Sequence, residues 1–150
     1  MRLTTILLLA FILVCCRSKD VNSDDVPIGV SDTILVWDTN PDSMIMKKDH
    51  SIPDSAITTD RIINGLNAKY PEVQLVFLKQ SKDTIYTEVP NGEYLGNQMG
   101  SAGATAWFAD AVINLTAVPG INFVSFTMDT FSHAGSTVIG RENYNGWKKQ

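Results

Sequence analysis

The stretch TDRIINGLNAKYPEVQLVFLKQSKDTIYTEV, Thr59 to Val89, decides the fold, because its hydrophobic period changes from helical to extended within thirty-odd residues. Ile62, Ile63, Leu66 and Tyr70 recur at the spacing that gathers side chains on one helix face. Thr58 or Thr59 can cap that helix, since a hydroxyl accepts from the free amides of the first turn. Asp60 complements the helix dipole, and Pro71 ends the helix after about Lys69. Val73 to Leu78 is apolar on both faces, the pattern of a central strand. Ser81-Lys82-Asp83 reads as a turn. Thr84 to Val89, apolar at Ile85 and Val89, is the antiparallel partner, and Pro90-Asn91-Gly92 stops it.

Working outward, Tyr94 to Gly103 reads as a glycine-rich connection through Gly96, Gly100 and Gly103. From Ser101 to about Ala117 a second helix is expected. Phe108, Ala111, Val112 and Leu115 form its buried stripe, Trp107 lies at its edge, and Pro119-Gly120 closes it. Asn122 to Met128 reads as a last strand, with Phe123 and Val124 on opposite faces. Ser132 to Gln150, rich in Gly, Asn and Ser, reads as an irregular tail. On the other side, Thr33 to Trp37 is β-branched and apolar and reads as a strand. Asn40-Pro41-Asp42-Ser43 is a turn signal, and Met44 to Lys47 a short strand that can pair with the first. The expected class is α+β: a helix–strand–strand–helix–strand core with an extra N-terminal strand or hairpin. Two helices pack on one face of a small mixed sheet.

The chain has 150 residues, enough for one domain, expected over 31–150. Its formal net charge is -4 and its cations are scattered; the nearest thing to a basic cluster is Lys47-Lys48 with Lys148-Lys149. A nucleic-acid surface needs a concentrated basic face, so nucleic acid is not an expected partner. Both cysteines, Cys15 and Cys16, fall at the end of an apolar N-terminal run. This leaves no disulfide framework and no cysteine-based metal site.

That run begins after Arg2 and extends from Leu3 to Val14. A spanning helix needs about 20 apolar residues, so this run is too short for one, but it has the length of a signal-peptide core. Leu13-Val14-Cys15-Cys16 resembles the lipobox of bacterial lipoproteins, which sets an aliphatic residue three positions before the modified cysteine and a small residue just before it. Cys16 fits as the lipidated residue, with Leu13 and Cys15 in those places. Cys15 fits less well, because Val14 would occupy the small position. The thiol is the nucleophile that takes the lipid, whose acyl chains partition at about 0.8 kcal/mol per buried CH₂. Residues 1–15 are then the signal peptide, and 16–30 a lipidated N-terminus and polar tether.

The stretch WFADAVINLTAVPGINFV, Trp107 to Val124, resembles the most recognisable part of the GerMN domain of sporulation and germination lipoproteins. That family has a helix, an L-T-x-x-P-G-V turn and a strand. Leu115-Thr116, Pro119-Gly120 and Phe123-Val124 match the outline. Tyr86 to Val89 and Tyr94 to Ser101 stand in place of its V-D-L-S-like strand and Gly/Ser-rich loop. Asp129-Thr130-Phe131 departs from the Asp-Gly expected at the closing turn. The resemblance covers about Leu66 to Phe131 and implies a fold related to the ring-building motifs of secretion and sporulation assemblies, which act by protein–protein contact. Asp129 to Gly135, with Tyr94-Leu95 and Met99-Gly100-Ser101, also resembles uncharacterised bacterial envelope lipoproteins.

Catalytic chemistry has few candidates. Asp129, Ser132, His133 and Ser136 are the residue types of a Ser-His-Asp site, but no nucleophile elbow accompanies them. His50 and His133 with Asp129 fall short of the three or four convergent ligands a metal needs. Gly96, Gly100 and Gly103 precede a helix but lack the lysine of a phosphate-binding loop; they are read as allowing tight turns. Asn114-Leu115-Thr116 is a glycosylation sequon inside a predicted helix and is set aside. Trp37, Trp107 and Trp147 are read as core or core edge rather than a sugar-binding surface. The expectation is therefore a non-enzyme with no cofactor and no metal. It would be a membrane-tethered envelope protein facing the periplasm or exterior, and would bind another envelope protein or itself. The alternative is a lipoprotein that binds a glycan or small molecule through the glycine connection and the region of His133.

Overall fold

The computed structural model describes residues 31–130 and 133–150. The signal peptide, Cys15, Cys16, the tether over 16–30, Phe131 and Ser132 lie outside the described residues, as do the side chains of Asp129, Thr130, His133, Ala134 and Gly135. Helix α1 spans Thr59–Lys69, and the Thr58 hydroxyl accepts from the Arg61 amide at its start. Ile62, Ile63 and Leu66 are buried on its inner face. Strands β3 (Val76–Ser81) and β4 (Thr84–Val89) follow as an antiparallel pair. Lys82 turns between them with φ of 53°.

Strand β3 departs from expectation in two ways. It starts three residues late, because Asn67 of α1 captures the backbone of Leu75. The Leu75 amide donates to Asn67 Oδ1 at 2.7 Å, and Asn67 Nδ2 donates to the Leu75 carbonyl at 3.0 Å. Val73 and Leu75 thus enter the core before the sheet begins. The strand is also an edge strand, not a central one, because the four-stranded sheet runs β3-β4-β5-β6. A run apolar on both faces signals burial on both faces only where layers cover both, and here every residue of β3 is exposed.

The segment expected as a connection contains helix α2, Gly92–Asn97, which buries Leu95. A left-handed Gly100 (φ 65°) then leads into α3, Gly100–Leu115. These helices carry the chain from β4 to β5 (Phe123–Thr130), which lies parallel to β4 as such a crossover allows. The supposed tail is structured. Strand β6 (His133–Gly140) pairs antiparallel with β5, a short 3-10 turn covers Arg141–Tyr144, and β7 (Lys148–Lys149) joins β2 in parallel. The expected N-terminal hairpin forms, shifted: β1 is Trp37–Asn40 and β2 is Ile45–Lys48. Thr33 to Val36 lies outside it, because the Ile34 amide donates to the Arg61 carbonyl of α1 and the Asp49 amide to the Val36 carbonyl.

The class is α+β, with an added layer. The helices cover one face of the four-stranded sheet, meeting Ile85, Val89, Val124 and Phe126. The small sheet β1-β2-β7 packs on the far side of α3. Helix α3 is therefore buried all round from Ala109 to Leu115. Ala111, Val112 and Leu115 face the main core, while Ala109 and Ile113 form a second small core with Met46. Trp107, expected at the edge, is fully buried among Phe108 and Phe126, whereas Phe108 is only partly buried.

Candidate functional site

Two polar residues one turn apart on α3, Asp110 and Asn114, were not expected in the core. Both are buried and face β1. Asn114 Oδ1 accepts from the Trp37 amide at 2.8 Å, and its Nδ2 donates to the Trp37 carbonyl at 3.0 Å. It thus pairs with the strand as a backbone would, and its burial leaves no room for a glycan on the sequon. Asp110 Oδ1 accepts from Thr39 at 2.5 Å, and Oδ2 accepts from the Tyr70 hydroxyl at 2.5 Å and the Lys69 ammonium at 2.6 Å. Burial, then the bond to Asp110 and its charge, hold the Tyr70 phenol well above its ordinary range. Both carboxylate oxygens are occupied, so this cluster joins α1, α3 and β1. The spacing Asp110…Asn114 is the signal that could have shown a second buried face on this helix.

Arg141 closes the end of α3. Its guanidinium donates to the Ile113 carbonyl at 2.5 Å and lies 5.1 Å from the Trp37 ring centre. An open cleft of about 370 Å³ lies beside Trp37, lined also by Asp38, Lys47, Lys48, Asp49 and His50. Ser51 donates to Asp49 from its hydroxyl and its amide, which lowers that carboxyl below its usual value.

The candidates read from sequence do not form one site. His50 follows β2 of the small sheet, while Asp129 and His133 belong to β5 and β6 of the large one. Ser136 lies on β6 with its hydroxyl 3.3 Å from that of Ser125. Gly96 is inside α2, and Gly100 and Gly103 are in α3. Among the described residues, no three His, Cys, Asp or Glu side chains converge as metal ligands. Trp107 is fully buried, and Trp37 and Trp147 pack on the second core. Lys47-Lys48 and Lys148-Lys149 do come together, on the paired strands β2 and β7. Among the described residues, no helix is long and apolar enough to cross a membrane.

The most distinctive surface is the β3 edge. Val76, Phe77 and Leu78 are 41%, 41% and 49% exposed, three adjacent large apolar side chains on the strand that ends the sheet among the described residues. An uncovered strand edge offers free amides and carbonyls to another chain. The opposite edge, β6, is small and polar at Ser136 and Thr137, with Val138 its exposed apolar residue. No protein-family model matches the chain, and neither a curated protein nor a solved structure matches it.

Proposed function

We propose that the chain is a lipid-anchored bacterial envelope protein whose GerMN-like folded part is a non-catalytic protein–protein binding or assembly module. The observation that carries this reading is the apolar β3 edge, since strand addition supplies both main-chain hydrogen bonds and side-chain burial. The leader over residues 1–15, followed by Cys16, and the resemblance over Trp107 to Val124 support it. A photocrosslinker at Leu78 in native membranes should capture protein, while one at Thr137 on the opposite edge should not. Equal labelling from both positions would overturn the reading. For the anchor, the mature protein should begin at a lipidated Cys16, and Cys16→Ser should release it from membranes. A mature N-terminus beyond Cys16 without acyl mass would refute this part.

One observation favours a second reading, a lipoprotein that binds a glycan or small molecule. The cleft beside Trp37 sets an aromatic ring among Asp38, Lys47, Lys48, Asp49 and His50, groups on which a polar ligand could stack and hydrogen-bond. Titrating a glycan panel while following tryptophan emission discriminates. Saturable quenching lost in Trp37→Phe would favour the ligand reading.

A further inference from the structure

We infer that the partner of the β3 edge is a second copy of this chain, paired antiparallel through β3 so that two four-stranded sheets become one of eight. This rests on the binding-module reading and names its partner. The argument begins with which residues share a face. In β4, Ile85, Thr87 and Val89 are buried, so Tyr86 and Glu88 point to the open face. Val76 stands opposite Glu88 and Lys79 opposite Tyr86, which puts Val76 and Lys79 on the open face too. A bulge between Phe77 and Lys79 absorbs Leu78.

An antiparallel pair about a two-fold axis normal to the sheet keeps both open faces on the same side. Facing side chains must then match: Val76 falls opposite Lys79 of the copy, and Phe77 opposite Leu78. Phe77 and Leu78 of each chain cover those of the other, and the Lys79 stem of the copy lies over Val76. Charge matches as well. Lys79 of one copy comes to lie across Val76 from Glu88 of the other, and the symmetry makes this contact twice. Within one chain, neither Lys79 nor Glu88 has an ion-pair partner among the described residues. Lys79 instead rests 5.0 Å from the Tyr86 ring centre, from which its flexible stem can turn outward. A bulge and a lysine also serve to guard edges against pairing, but among the described residues nothing covers the three apolar side chains.

The test is sedimentation of the full-length chain in detergent over a range of concentrations. Wild type should self-associate reversibly, and Leu78→Lys should weaken association by on the order of tenfold or more. Lys79→Glu and Glu88→Lys should each weaken it alone, through like charges facing twice. Mixed together they should restore it, because in the mixed pair each charge meets its opposite. A monomeric wild type, or a mixture no stronger than its components, would overturn self-pairing. If self-association is absent while the Leu78 photocrosslink to a different protein persists, self-pairing fails and the binding-module reading survives. If both are absent, both fail.

Discussion

Gly65 sits inside α1, where alanine is ordinarily the better residue by about 1 kcal/mol. Here a Cβ would collide with the carbonyl of Ile34, whose amide is bonded to Arg61 of the same helix. Gly65→Ala should therefore destabilise the fold by about 1–3 kcal/mol, measured by urea unfolding; a stabilised variant would mean that Ile34 does not cross the helix there. Lys69 and Asp110 form a buried pair on one side only, since Lys69 keeps about a third of its side chain in water. Lys69→Met should cost about 2–3 kcal/mol, less than a wholly buried pair, and adding Asp110→Asn should recover part of that loss. The phenols give a pH dependence of known sign. Tyr70 and Tyr144 are both raised from an ordinary value of 10, Tyr144 by burial to about 12. A group whose folded pKa is raised contributes stability that is complete below its unfolded pKa and lost as pH rises through the folded one. Stability should thus fall from about pH 10 upward, and Tyr144→Phe should reduce the loss between pH 10 and 12 in an alkaline unfolding series.

At the scale of elements, the C-terminal segment makes the clearest claim. Arg141 bonds the end of α3, Tyr144 and Trp147 pack edge to face at 5.4 Å, and both rest on the second core. Removing 141–150 should cost several kcal/mol, as losing a packed element does, read as a lowered unfolding midpoint; a change below about 0.5 kcal/mol, typical of surface sites, would mean a loose tail. Leu115→Ala should cost about 2–5 kcal/mol from the main core. Much of this layer is hidden in the sequence because Gly135, Gly140, Asn143, Asn145 and Gly146 interrupt the segment's apolar residues. The β-branched run Thr137-Val138-Ile139 was its one strand signal. Helix α1 was legible because its cap, stripe and terminating proline agree. Helix α3 is legible in extent but not in burial: one apolar stripe implies one covering layer, and the second is marked by Ala109 and Ile113, which lie beyond that stripe, together with Asp110 and Asn114. At β3 the structure departs from the pattern for a physical reason. A run apolar on both sides implies cover on both sides, whereas its apolar residues split between entering the core at Val73 and Leu75 and facing solvent at Val76 to Leu78. No functional side chain is legible as a site, because the surface proposed to bind is a strand edge, which carries no motif.

For the whole molecule, the anchor and the edge belong to one account. The proposed lipid on Cys16 would confine the chain to two dimensions, which raises the effective concentration of its neighbours. Weak strand pairing can then suffice. The central claim is that the β3 edge is paired when the protein works. Amide hydrogen exchange across Val76 to Ser81 tests it most directly, comparing the full-length chain in native membranes with the same chain dispersed as monomer in dilute detergent. The account predicts that these amides exchange markedly more slowly in membranes, and that Leu78→Lys removes the difference while exchange in α3 stays unchanged. Equal exchange at β3 in the two settings would contradict it.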